Sequence, residues 1–236
     1  MAGQFQESKN FISNKLKRKI IQTADGSSSL LVEDWGETYH SRHGAIQEAK
    51  HVFIQNGLSL FQGQSVAVLE IGFGTGLNAF ITFLEAEQRQ QKIDYVGVEA
   101  YPILQQEAEK LNYVSQLDAN QYDTQFQLLH TSEWGVNTRI SDYFSLTKRQ
   151  QYFNEIEDKN QFNLIYFDAF GYQYQPELWS VHIFRLMYEA LVTNGVLVTY
   201  ACRGPIKKAM LEAGFKVEKL KGPPGKREML RAQKCG

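Results

Sequence analysis

The chain is 236 residues long, with 25 basic against 26 acidic side chains and a formal net charge of −1. Hydrophobic residues at 43% and charged residues at 22% describe a folded core and exclude a disordered chain. The length suits one large α/β domain, and neither a membrane span nor an apolar secretory leader is visible, so a soluble cytoplasmic enzyme or binding protein is expected, with no membrane partner. Residues 1–16 are polar and aperiodic, which predicts a flexible arm ahead of a single domain over 17–236. The alternation in IIQTADGSSSLLVED around Asp25-Gly26 predicts a hairpin. AIQEAKHVFIQN (45–56) has helical spacing and stops at Gly57, read as a glycine cap. Hairpin and helix form an N-terminal extension over 17–58.

From Ser65 the pattern becomes strand, helix, strand, helix. VAVLEI (66–71) is a continuous apolar run, as in a strand buried on both faces. A helix over 77–92, a strand over 94–100 and a helix from Pro102 to Leu117 follow. FQLLHT (126–131) reads as a third strand, and 135–161 as an insertion with some helix. NLIYFDAF (163–170) is a fourth strand, PELWSVHIFRLMYEAL a helix, and GVLVTYA (195–201) a fifth strand. A helix over 205–213 and strands at 215–220 and 228–232 close the chain. The expected class is α/β, a doubly wound, mostly parallel sheet with a Rossmann-like core over 65–236.

Chemistry concentrates at the ends of these strands. Gly72, Gly74 and Gly76 in LEIGFGTGLN (69–78, ending at Asn78) let the backbone approach a ligand where strand one turns into a helix. Leu77 stands where a dinucleotide fingerprint would place glycine. G-x-G-x-G preceded by Glu70 instead resembles the first motif of S-adenosylmethionine-dependent methyltransferases, which places the acidic residue near the methionine end of the cofactor. Glu99, at the end of strand two, can accept both ribose hydroxyls of an adenosine, and a solvated strand-end glutamate is the plainer alternative. Trp134, in HTSEWG after the third predicted strand, is a candidate for stacking on adenine or for capping the core. Asp168, at the end of strand four, is placed to orient a substrate amine and stabilise its developing charge, or else to cap a turn. Phe170, Tyr172 and Tyr174 are candidates for an aromatic wall attractive to a sulfonium.

The segments YHSRHGAIQEAKHVFI, LEIGFGTGLN, GVEAYP, IYFDAFGYQYQPELW and GPPGKREMLRA together resemble the methyltransferase half of the MnmC family of tRNA wobble-uridine modification proteins, over about residues 17–232. That resemblance implies S-adenosylmethionine as methyl donor and the aminomethyl group of 5-aminomethyl-2-thiouridine in tRNA as acceptor. It also implies Asp168 as the catalytic aspartate, with Tyr39, Ser41 and Glu48 near the cofactor. No FAD-binding oxidase half is evident, so a separate oxidase or other enzyme is expected to supply the aminomethyl group. A small-molecule methyltransferase, an aminopropyltransferase and a non-catalytic nucleotide- or RNA-binding domain are the competing readings.

The last 34 residues carry ten basic and three acidic side chains, an excess suited to phosphate contacts or to a solvated face. Within them the stiff GPPGKRE loop sets Lys226 and Arg227 at a defined place, a candidate RNA contact. No metal site is expected: His40, His43 and His51 lack carboxylate companions, and Cys202 and Cys235 are too few for a zinc site. Cys202 reads as a buried apolar residue.

Overall fold

The computed structural model describes residues 16–236, so all but the last residue of the arm expected at 1–16 lies outside the described residues. Strands β1 (Arg18–Gln22), β2 (Ser28–Val32) and β3 (Glu37–Thr38) form a small antiparallel sheet. Arg18 pairs with Val32 and Gln22 with Ser28, which puts Asp25-Gly26 in the connecting turn as expected. Asp25 accepts from Thr23, Ser27 and the Gln47 backbone, tying that turn to the next helix.

That helix, α1 (Ala45–Ala49), continues as π-helical turns over Lys50–Gln55 and ends at Asn56. Gly57 is not a left-handed cap: its φ is −119°, and a Cβ there would lie 2.5 Å from the Phe53 carbonyl oxygen. Close packing, not backbone handedness, requires glycine at that position.

The main sheet has eight strands, β4 (Val66–Ile71), β5 (Ile93–Val98), β6 (Asn137–Arg139), β7 (Phe144–Arg149), β8 (Phe162–Phe167), β9 (Leu191–Thr199), β10 (Lys216–Lys221) and β11 (Glu228–Gln233). Their spatial order is β10-β11-β9-β8-β4-β5-β7-β6. β7, β5, β4, β8 and β9 run parallel, flanked by antiparallel β6 on one side and by β11 and β10 on the other. The chain leaves β4 toward β5 and later returns to its other side with β8. A crevice opens at that point of reversal, beyond the carboxyl ends of the strands.

Alternation along β4 assigns the two faces. Val68 packs with Phe53, Phe80 of α2 (Leu77–Arg89) and Phe126, while Leu69 and Ile71 pack with Phe184 of α6 (Val181–Ala190) and Met210 of α7 (Gly204–Glu212). Glu70 shares the Val68 face and is wholly buried beneath the start of α2. The Ser180 hydroxyl caps α6 by accepting the Ile183 N–H, which fixes where the polar β8–α6 loop gives way to helix.

Three expectations fail in the third βα unit. The helix expected from Pro102 to Leu117 is two short turns, α3 (Gln105–Ala108) and α4 (Tyr113–Gln116). FQLLHT belongs to helix α5 (Asp123–Thr131), whose Phe126 and Leu129 sit one turn apart and are both buried. The third parallel strand is β7, inside the stretch expected to be an insertion.

Candidate functional site

Three left-handed glycines shape the loop between β4 and α2. Gly72 has φ +93°, and a Cβ there would lie 2.6 Å from the Asp168 carbonyl oxygen. The Asp168 N–H in turn donates to the Ile71 carbonyl at 2.9 Å, so the ends of β4 and β8 touch backbone to backbone. Gly74, φ +49°, faces the Tyr39 ring and donates its N–H to Glu99 Oε2 at 3.0 Å. Gly76, φ +71°, starts α2 with its α-carbon against His130. Only glycine combines such dihedrals with such close neighbours.

Three buried carboxyl groups gather around this loop with different partners. Glu99 accepts from Gly74 and, through Oε1, from the Tyr101 N–H at 2.9 Å, which fixes its orientation. Burial raises its pKa against the lowering effect of these bonds. Asp168 and Glu70 share one partner: Asn78 Nδ2 donates to Asp168 Oδ2 at 2.8 Å and to Glu70 Oε1 at 2.9 Å. Burial, reinforced by the charge of Glu48, pushes the Asp168 carboxyl up to about 7, opposed by Asn78 and Lys226. Burial also holds Glu70 well above the usual carboxylate range.

The loop after β8 is fastened at successive residues. Beyond the Asp168 bond, the Ala169 carbonyl accepts the Tyr200 hydroxyl at 2.8 Å and the Phe170 carbonyl accepts the Trp179 indole N–H at 2.8 Å. Phe170 meets Trp35 and Tyr39 edge to face, with centroids 5.3 and 5.0 Å away. A cavity of about 490 Å³ lies among these groups.

Of the residues singled out from sequence, Tyr39, Gly72, Gly74, Asn78, Glu99, Asp168 and Phe170 line it together. Others are placed elsewhere. Glu70 and Gly76 lie behind the wall, Glu70 reaching the site only through Asn78. Trp134 lines a separate cavity of about 150 Å³, where the Lys148 ammonium lies 4.9 Å from its ring centroid. It follows a helix instead of a strand, and the residues just after β7 that line the larger cavity are Tyr152 and Phe153. Tyr172 packs on the α6–α7 side and Tyr174 is exposed. Lys226 turns inward to pair with Glu48, while Arg227 stays on the surface. Cys202 is half-buried instead of core. His40 bridges Ser29 and Thr75, His43 packs on Gly225, and His51 bonds the Lys221 carbonyl.

Sequence reasoning missed Tyr101, Tyr152, Tyr200 and His182 in the cavity wall. A strand-end rule would have found Tyr200, one residue beyond β9.

The residues fit a nucleoside joined to an amino acid. The volume falls in the range of small-molecule sites. Glu99 keeps acceptor capacity for a ribose diol, glycine backbone leaves room beside it, and Asn78 Oδ1 is buried without a partner, an acceptor awaiting a donor.

A family model described as S-adenosyl-L-methionine-dependent methyltransferase matches residues 109–235. The chain is similar to the tRNA 5-methylaminomethyl-2-thiouridine biosynthesis bifunctional protein MnmC of Azoarcus sp. strain BH72, with 28% identity over 218 residues, covering 86% of this chain and 33% of that protein. The protein of the same description from Aromatoleum aromaticum is 29% identical over 217 residues, with coverage of 84% and 33%. The chain thus spans about a third of the length of these curated relatives. Among solved structures it resembles MNMC2 from Aquifex aeolicus, with a TM-score of 0.71 and 25% identity over 92% of this chain and 70% of that one. Spermidine synthase from Thermotoga maritima shares the fold, with a TM-score of 0.53 at 13% identity, covering 93% and 69%.

Proposed function

The chain belongs to the S-adenosyl-L-methionine-dependent methyltransferases, and on that premise we propose that it methylates the aminomethyl nitrogen of 5-aminomethyl-2-thiouridine at the wobble position of tRNA. The observation that carries this reading is a carboxyl with a pKa near 7, Asp168, facing the same cavity as the glycine loop and Glu99. The relatives described as MnmC support the tRNA substrate.

When bound, the cofactor supplies an electrophilic methyl carbon on a sulfonium. Glu99 would hold the ribose hydroxyls, with Gly72 and Gly74 beside the sugar and Tyr39 and Asn78 completing that wall. Tyr152 and Phe153 would flank the base. An amine attacks only when neutral, so the ammonium of the entering substrate must first lose a proton. Asp168, with an affinity for protons close to neutrality, accepts that proton or an N–H hydrogen bond and turns the nitrogen lone pair toward the methyl carbon. Nitrogen–carbon bond formation would be matched by carbon–sulfur cleavage, and the methylated ammonium would give its second proton to water. Phe170, braced by Trp35 and Tyr39, offers the incoming uracil an aromatic face. In this reading a separate oxidase or other enzyme supplies the aminomethyl group, and the work is done in the cytoplasm. No helix among the described residues is long and apolar enough to cross a membrane.

The test is incubation with methyl-labelled S-adenosylmethionine and tRNA from cells lacking this modification. Label in the wobble nucleoside supports the proposal. Label confined to small amines, or cofactor binding without transfer, overturns it.

A further inference from the structure

Lys226 and Glu48 lie outside the cavity wall but are built into its frame. The Lys226 ammonium pairs with Glu48, which is 9% exposed in its side chain, and lies 3.9 Å from the centroid of the Tyr200 ring. Glu48 Oε1 also accepts the Ser41 N–H at 3.1 Å, next to the cavity-lining Tyr39 and His40. Tyr200 passes the link on through its hydroxyl to the Ala169 carbonyl, one residue from Asp168. Two distant segments, 39–41 and 222–227, therefore meet at one ion pair, and Tyr200 links it to 168–170. The turn that delivers Lys226 is closely specified: Gly225 has φ +81° and packs on the His43 ring, and the Lys226 N–H returns to the Pro223 carbonyl at 2.9 Å.

A largely buried ion pair yields little net stability compared with apolar packing. This one acts on Asp168 with two opposed charges, Glu48 favouring its proton and Lys226 opposing it. The other groups around Asp168 are Glu70 from β4, Tyr95 from β5, Tyr200 beyond β9 and the neutral Asn78 from α2.

We propose that Lys226 and Glu48 are paired positioning residues for Asp168: Lys226 braces Tyr200 behind the Asp168 loop and cancels the field of Glu48, while Glu48 anchors the 39–41 segment to the same point. The proposal rests on reading Asp168 as the amine-orienting carboxylate, but its test needs no substrate.

Carbon-13 NMR of aspartate-labelled protein follows the Asp168 carboxyl against pH, with its signal assigned by its loss in Asp168→Asn. In Lys226→Met the midpoint should rise by about one pH unit, because an uncompensated carboxylate remains beside Asp168. In Glu48→Gln it should fall by about as much. The double variant should return to within about 0.3 of the original midpoint, and Lys226→Arg should stay there, since it keeps the charge. Shifts of the same sign in the two single variants, or none beyond about 0.3, overturn the proposal. Should Lys226→Met not fold, the remaining variants decide: a double-variant midpoint no higher than that of Glu48→Gln refutes the cancellation. Opposed shifts in a protein that fails to methylate tRNA would leave this proposal standing and remove the substrate reading alone.

Discussion

Asn78 shows how one side chain sets the chemistry of two. Its single amide nitrogen serves Glu70 and Asp168 at once, and of the two only Asp168 opens on the cavity. Burial has lifted Asp168 to about 7, so the folded protein holds that proton more tightly than an unfolded chain does. The linked stability is complete at acid pH, below the usual carboxylate value, and is lost as pH rises through about 7. Asp168→Asn should therefore gain thermal stability over the parent at pH 8 and gain much less at pH 4, as measured by calorimetry. The same substitution should slow single-turnover methyl transfer by roughly 10²-fold or more, the usual cost of losing a positioned acid–base group. A rate within about threefold of the parent would remove Asp168 from the reaction. Gly74 gives a second measurement. With φ +49° and the Tyr39 ring 3.2 Å from a Cβ, Gly74→Val combines backbone strain with steric overlap. Calorimetry should show at least tenfold weaker S-adenosylhomocysteine binding in a protein that still folds.

Among the elements, the small antiparallel sheet matters to the site through a polar chain. Ser29 of β2 contacts His40 Nδ1 at 3.0 Å, His40 Nε2 lies 3.4 Å from the Thr75 hydroxyl, and Tyr113 of α4 donates to that hydroxyl at 3.0 Å. Burial lowers the His40 pKa to about 4, so the imidazole is neutral in the folded protein at physiological pH. An unfolded chain takes up that proton near the ordinary histidine value, so stability falls as pH drops from about 6.5 toward 4. His40→Gln should flatten this acid-side loss, seen as a smaller drop in Tm between pH 7 and 5 than the parent shows. Sequence made the strands on either side of the switch point legible, because β4 and β8 are buried on both faces and read as apolar runs interrupted only by Glu70 and Asn163. β7 escaped because its inward residues are Phe144, Leu146 and a lysine, Lys148, which is 1% exposed and donates to the His130 carbonyl. A buried cation breaks the alternation that a strand is recognised by. FQLLHT misled in the opposite sense, since a run of six cannot distinguish a strand from a helix turn that buries Phe126 and Leu129. Asp168 and Glu99 were legible as cavity-lining residues because polar groups at strand ends face the crevice. Trp134 was misplaced with the strand it was thought to follow.

The whole molecule divides its positive charge unevenly. Of the ten basic residues near the C-terminus, Lys208, Lys219, Lys226 and Arg231 each pair with a glutamate. Lys221 and Arg227 are exposed, form no salt bridge among the described residues although Arg227 acts on the neighbouring Glu228, and flank the β10–β11 turn that delivers Lys226 to the site frame. If RNA approaches across this turn, Lys221→Gln with Arg227→Gln should weaken tRNA binding and reduce the slope of log affinity against log salt by about 1 to 2. S-adenosylhomocysteine affinity should stay within twofold, and an unchanged salt slope would exclude this surface as a phosphate contact. The fastened loop at 168–170 has a consequence for the order of events. Its backbone is held to β4, Tyr200 and Trp179 by groups of the protein itself. Neither ligand then has to prepare this part of the site for the other, so linkage between them arises from their direct meeting and not from this loop. Cofactor and acceptor should bind in either order, with no coupling free energy carried through this loop.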